Sequence, residues 1–268
     1  MPHRFHGRYL ITGASQGIGF EIARILGKRN CELLLLSRSE TKLEKARKLL
    51  AKDNISCQTI TCDLAKPESI QKAAKQIRRS CATLNGIINN AGYAYPGYFH
   101  ELPIEEFSKT MAVDYLGAAL ISRELVELVA KGGLLSFTSS VVGFMGVFGY
   151  SAYAPAKFAL MGLAETLRQE LYFRDIQVSV LCPPDTDTPG YHEENKTKPP
   201  ETMALSKTAK LMTAQEVAES FVRGVERGQF LITCNLESAF LYHFHRIFPS
   251  LSHRIILGLI KKARKKQS

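Results

Sequence analysis

Short apolar runs with no internal polar alternation, each followed by a stretch of helix length, constrain this fold more than any other feature of the sequence. Residues 9–11, 33–36, 59–61, 86–88, 134–137 and 178–181 read as strands, and strands without alternation must be buried on both faces. The intervening stretches 19–29, 41–52, 67–79, 104–130 and 154–174 have the length and amphipathic pattern of helices. This succession demands a parallel sheet covered on both sides. Its regularity argues for one doubly wound α/β domain, with no repeat and no low-complexity tract to suggest another architecture.

Composition removes several other classes. With 268 residues, 45% of them hydrophobic and 22% charged, the chain can bury a sizeable core and is neither disordered, collagen-like nor coiled coil. No uncharged apolar stretch approaches the length of about 18 residues expected of a membrane span. Met1-Pro2-His3-Arg4-Phe5-His6 runs into Gly7 and Arg8 before any apolar run, so a secretory signal is not expected. The six cysteines include no C-x-x-C pair and read as buried thiols of a reducing, cytoplasmic compartment. The net charge of +10 is concentrated at one end: residues 238–268 hold seven Lys/Arg and no Asp/Glu, leaving +3 on residues 1–237. A basic tail on a nearly neutral body suits an anionic surface, a membrane before a nucleic acid.

Two motifs carry chemistry. Directly after the first strand comes Thr12-Gly13-Ala14-Ser15-Gln16-Gly17-Ile18-Gly19, opening a helix. Glycines there let the backbone turn tightly and approach a pyrophosphate, which the free N–H groups of the helix can bind. The second strand ends Leu36-Ser37-Arg38 with Lys42 a turn later. It offers no carboxylate for a ribose 2′-hydroxyl but two cations for a 2′-phosphate, which favours NADPH over NADH unless these are merely a solvated helix start. The other motif is Tyr153-Ala154-Pro155-Ala156-Lys157. Spacing of i, i+4 puts phenol and ammonium on one helix face, where the cation is expected to lower the phenol pKa toward working pH.

The G-x-x-x-G-x-G spacing together with Y-x-x-x-K resembles the short-chain dehydrogenases/reductases over residues 8–233, which implies a Rossmann-type fold. That resemblance implies adenine contacts from Asp63 and Leu64, although Asp63 could equally cap the helix ahead of Pro67. It matches Asn89-Asn90-Ala91-Gly92 to the family's signature after the fourth strand, with Asn90 at the cofactor. It also implies a triad of Ser140 on the carbonyl oxygen, Tyr153 as proton donor and Lys157 on the ribose and the phenol. Ser139 is the lesser serine, satisfied by backbone. Asp114 stands where the family usually has Asn, either as a fourth member of the site or as a structural helix residue.

The Pro- and Thr-rich stretch from Pro183 through Thr202 reads as a lid, 183–212, and resembles that of the 3-ketodihydrosphingosine reductases. That implies NADPH-dependent reduction of a 3-keto sphingoid base in sphingolipid synthesis. A steroid or 3-oxoacyl reductase is the rival within the family, and a non-catalytic NADPH sensor or nucleic-acid-binding protein the rival outside it. Nucleic-acid binding lacks any motif in the body of the chain. The extension 238–268 sets apolar residues such as Phe240, Phe244, Phe248, Leu251, Ile255 and Leu259 before Lys261, Lys262, Arg264, Lys265 and Lys266. Such a segment can lie in a bilayer interface, on the cytosolic face of the endoplasmic reticulum in a eukaryote, close to a long-chain keto lipid. It can equally pack on the domain or on a second copy in a homodimer or tetramer. His243 and His245 read as surface histidines, with no metal expected.

Overall fold

The computed structural model describes residues 3–265. Strands β1 (Arg8–Thr12), β2 (Glu32–Ser37), β3 (Cys57–Thr61), β4 (Leu84–Asn89), β5 (Val129–Thr138), β6 (Gln177–Cys182) and β9 (Leu231–Thr233) form one parallel sheet in the order β3-β2-β1-β4-β5-β6-β9. A second pair, β7 (Thr186–Asp187) and β8 (Met212–Thr213), lies outside it. Side chains of successive residues enter opposite layers. Leu34, Leu36, Ile87, Leu135 and Phe137 pack under helices α3 (Pro67–Ser80), α5 (Gly117–Leu125) and α6 (Tyr153–Glu170). Leu33, Leu35, Ile88 and Leu134 face α1 (Gly17–Lys28), α2 (Glu40–Lys52) and α9 (Ala214–Glu226). Apolar residues on both faces explain the absence of alternation. Strand order reverses between β1 and β4, so a crevice opens at their carboxyl ends.

Several boundaries differ from the sequence pattern. Residues 104–130 are not one helix: α4 (Ile104–Thr110) passes through a π-helical turn, Met111–Leu116, into α5, and β5 already begins at Val129. Apolar spacing runs unbroken from Ile121 through Leu125 to Val129, with no glycine between Gly117 and Gly132, so periodicity does not register the change. The 154–174 helix stops at Glu170, and a 3-10 turn over Tyr172–Arg174 ends at Asp175, which is left-handed with φ 53°. Helix α9, opened by a capping box between Thr213 and Glu216, and the three-residue edge strand β9 were not apparent from pattern alone.

The stretch read as a loop lid contains helices α7 (Pro189–Glu194) and α8 (Pro200–Ser206). Its ends are tied where Thr186 pairs with Met212 and Asp187 with Thr213. The extension starts at α10 (Leu236–Ile247), capped by Asn235, whose side chain accepts from Ser238 N at 2.7 Å. A sharp turn leads into α11 (Pro249–Lys265), and His245 Nδ1 meets the buried Ser252 Oγ at 3.0 Å across the pair, so His245 is a packing residue and not a free surface one. Helix α11 lies against α8, with Arg264 Nε donating to Glu201 Oε1 at 2.8 Å. The extension is therefore part of the lid's packing and not a separate tail. Lys266 of its basic cluster, like Met1 and Pro2, lies outside the described residues. Among the described residues no helix is long and apolar enough to cross a membrane. All six cysteines are free; four are buried, and Cys57 and Cys234 are half-buried.

Candidate active site

A cavity of about 1140 Å³ runs from the β1–α1 turn past Tyr153 to the C-terminal helix pair. At its first end Gly13 and Gly17 have φ of +66° and +61°, which only glycine adopts without strain. A Cβ on Gly13 would also meet Ala91 Cα at 2.8 Å, and one on Gly19 would meet the Gly13 carbonyl at 2.7 Å. Gln16 enters α1 in extended conformation with no side-chain cap, so the first N–H groups of that helix are left for an anion. Ser15 Oγ lies 3.0 Å from Ser37 Oγ, tying the turn to the end of β2. Ser15, Gln16, Ile18, Arg38, Lys42, Asp63, Leu64 and Asn90 all line the cavity, whereas Glu40, the nearest carboxylate along the chain, does not. A phosphorylated dinucleotide fits this set: tight glycines, unsatisfied amides and two exposed cations.

Two of these residues have further work. Asp63 is not the helix cap. Lys66 holds that position, and Asp63 Oδ1 instead accepts from Ala65 N at 3.1 Å in an Asx turn. Asn90 Nδ2 donates to the Thr12 carbonyl at 3.3 Å while its Oδ1 accepts from Thr138 Oγ1 at 3.4 Å. Its side chain thus ties β1 to β5 as well as facing the cavity.

The other motif folds as its spacing requires. Tyr153 and Lys157 open α6, with Lys157 Nζ 5.3 Å from the centre of the Tyr153 ring. The ammonium is buried, donates to the Thr138 carbonyl at 3.0 Å and lies 3.7 Å from Asp114 Oδ2. Asp114 comes from the π-helical turn and is fully buried; its Oδ1 accepts from Tyr93 N at 3.0 Å. Burial raises its carboxyl to about 6, against the downward pull of Lys157 and the Tyr93 amide. A Cβ on Gly92 would stand 2.9 Å from both Asp114 Oδ1 and Lys157 Nζ, so this glycine leaves room for the pair. Ser140, at the end of β5, accepts from Val142 N at 3.4 Å, and its hydroxyl favours the ionised form of Tyr153. Ser139 is turned away, donating to the Lys157 carbonyl at 3.0 Å.

One expectation is corrected here. Lys157 does not bring the phenol down toward neutrality. Tyr153 is pushed well above its ordinary value, first by burial and then by the negative charges of Asp114, Glu194 and Asp185. Asp114, 3.7 Å from the Lys157 ammonium, exerts the largest effect of these charges. A phenol held protonated remains a competent acid toward a developing alkoxide, which is a far stronger base.

Further contributors escaped the sequence. The Thr138 carbonyl and the Tyr93 amide are backbone groups with no residue signature. Tyr150 sits 5.8 Å from Tyr153, ring to ring, and donates to Glu194 Oε1 at 2.9 Å. Glu194 in turn is 2.8 Å from the buried Lys198, and burial pushes its carboxyl upward despite Lys198 and Tyr150. The i, i+4 pairing of Glu194 with Lys198 was the available clue.

A parallel nucleotide-binding sheet carrying a Ser-Tyr-Lys set beside its switch point defines a class of reductase, and sequence comparison agrees. The short chain dehydrogenase family profile matches residues 8–199, and the chain belongs to that family. Among its relatives, the 3-ketodihydrosphingosine reductase of Dictyostelium discoideum is 39% identical over 250 residues, covering 85% of this chain and 75% of that protein. The 3-dehydrosphinganine reductase of Danio rerio is 38% identical over 237 residues, covering 85% and 71%. In fold, a short chain dehydrogenase/reductase from Burkholderia phymatum superposes with a TM-score of 0.81 at 20% identity, covering 92% of this chain and 95% of the other.

Proposed function

We propose that this chain is an NADPH-dependent reductase of a 3-keto sphingoid base, converting 3-ketodihydrosphingosine to dihydrosphingosine. The observation that carries this reading is the continuity of one cavity. It joins Arg38 and Lys42 to Tyr153 and then to an apolar wall formed by Phe240, Leu241, Phe244, Ile255, Ile256 and Leu259 of α10 and α11. A dinucleotide occupies the first part and a long alkyl chain suits the last. The activity named for the Dictyostelium and Danio relatives supports it.

NADPH supplies, when bound, the hydride that goes to the ketone carbon. Tyr153 gives its phenolic proton to the carbonyl oxygen, so ketone, hydride and proton sum to the secondary alcohol. Ser140 donates a hydrogen bond to the same oxygen as charge develops there, a contribution of about 2.7–4 kcal/mol for an oxyanion donor of this kind. Lys157, fixed by the Thr138 carbonyl and Asp114, reaches the ribose and orients the phenol. The deciding assay follows NADPH oxidation against a panel of keto lipids. 3-Ketodihydrosphingosine should be turned over fastest; faster reduction of a steroid ketone or a 3-oxoacyl thioester would assign the chain to the rival reading.

The cofactor preference rests on Arg38 and Lys42. Exchanging Arg38 for Asp is expected to change the ratio of NADPH to NADH affinity by about 10- to 100-fold, because a cation paired with a phosphate is replaced by a repelling anion. Titration of both cofactors measures it, and equal affinity of the unaltered chain for the two removes the basis of the reading.

Peripheral membrane binding belongs to the same proposal. Leu236, Ile247, Phe248 and Leu251 are among the large apolar side chains left exposed on α10, α11 and the turn between them, alongside Arg246, Arg254, Lys261 and Lys262. Each cation near an anionic surface contributes about 1 kcal/mol. Because the helix pair walls the cavity, deleting 238–268 would open the site and confuse two effects. Replacing Ile247, Phe248 and Leu251 by serine avoids that, since none lines the cavity. The triple variant is expected to lose flotation with anionic vesicles while reducing detergent-dispersed substrate. Full-length protein that floats with no vesicle would discard the membrane role.

A further inference from the structure

Beside the catalytic tyrosine the lid carries a buried group of charges that the chemistry above leaves unused. Asp185 and Glu194 both line the cavity with Tyr153, and both carboxylates act electrostatically on its phenol. Behind them Lys198, whose side chain is 0% exposed, lies 2.8 Å from Glu194 Oε1 and 3.8 Å from Asp185 Oδ2. The Tyr191 ring covers its ammonium at 4.5 Å, and Lys198 is not part of the cavity wall. Tyr150 holds the remaining contact to Glu194 at 2.9 Å. Asp185 Oδ2 and Lys198 Nζ, 3.8 Å apart, are both buried and neither makes a hydrogen bond. Two carboxylates against one ammonium leave this group one negative charge in excess. A buried group short of one cation is costly unless the ligand supplies that cation.

We infer that Asp185 and Glu194 bind the ammonium on the carbon next to the substrate ketone, and thereby select α-amino ketones over plain long-chain ketones. This rests on the function proposed above. In such a substrate the nitrogen is attached to the carbon adjoining the carbonyl, so a carbonyl oxygen seated on Tyr153 carries the ammonium to the neighbouring wall. Glu193, the next carboxylate on that wall, is exposed and paired with Lys196 at 2.6 Å. Lys198 sets the selectivity by neutralising one carboxylate and holding the other in place. With Lys198 the group accepts one positive charge; without it, two carboxylates would face each other unpaired.

The test compares 3-ketodihydrosphingosine with the analogue lacking its amine, by kcat/KM with the full chain saturated in NADPH, and repeats the pair in Asp185→Asn and Glu194→Gln. The unaltered chain should favour the amino ketone by about 10- to 100-fold, and each substitution should shrink that ratio by about tenfold or more, as loss of a charge-assisted contact does. A general effect of misplacing the lid lowers both substrates together and leaves the ratio alone. No preference in the unaltered chain, or a ratio unmoved by both substitutions, overturns the inference. Reduction of neither ketone overturns instead the function on which it rests. Should the variants fail to fold, the unaltered holoenzyme decides: dodecylammonium should inhibit about tenfold more strongly than dodecanol, and equal inhibition overturns the assignment.

Discussion

Replacing Tyr153 by phenylalanine is expected to lower kcat for keto-lipid reduction by about 10³-fold, within the range that a positioned general acid contributes. NADPH affinity should stay within a few-fold, because the ring and its place at the start of α6 are kept. The loss falls on kcat and not on KM, since the phenolic proton matters most as the alkoxide forms. A pH profile adds a second readout. Burial and the carboxylates of Asp114, Glu194 and Asp185 hold the Tyr153 phenol well above its ordinary value, so it stays protonated through neutral and mildly alkaline solution. The reduction limb should therefore show no loss of its acid between about pH 7 and 9. A neutralised Asp114 should bring the fall to lower pH, because that carboxylate is the second largest cause of the rise after burial. Near-full turnover by Tyr153→Phe would show that another group delivers the proton.

How much of this was legible beforehand depended on whether a feature is local. Leu33 through Leu36 declare a strand buried on both faces because each layer of the sheet takes alternate residues from the run. The glycine turn and the Tyr153–Lys157 pair are likewise fixed by spacing within one element, and the structure brings both to a single cavity. Features made by tertiary contact were not legible. The π-helical turn that carries Asp114 into contact with Lys157 interrupts a pattern whose apolar spacing continues smoothly. The i, i+4 spacing predicts a lowered phenol because it carries the charge of Lys157 but neither the burial of Tyr153 nor the weight of Asp114 and of Glu194 from the lid. For the same reason composition leaves the C-terminal segment open between a bilayer interface and packing on the domain. Its composition speaks of an interface, while its packing on α8 includes the pairing of Arg264 with Glu201, 63 positions apart in the chain.

Lys157→Met is expected to damage the fold as severely as the chemistry. Asp114 is fully buried, Lys157 is the cation beside it, and Oδ2 accepts no hydrogen bond. Removing the ammonium leaves an uncompensated carboxylate in the interior, a change that costs about 3–5 kcal/mol. For a chain of this size that lowers Tm by on the order of 10 °C. The pH dependence carries the signature. In the folded chain the Asp114 carboxyl is raised from 3.8 to about 6, so its contribution to stability is fully present below the lower value and is lost as pH rises through the upper one. Without Lys157, whose charge now pulls that value down, the loss extends to higher pH. The variant should consequently be closest to the unaltered chain in mildly acidic solution and furthest from it at pH 8. Adding Asp114→Asn removes the buried charge, and the double variant should recover most of the lost Tm while remaining about 10²-fold or more impaired in kcat, since nothing then orients Tyr153 or reaches the ribose. Such a split separates the two tasks of Lys157. If Lys157→Met melts at the unaltered temperature at pH 8, Asp114 is not held there as a carboxylate, and its negative charge cannot be what keeps Tyr153 protonated.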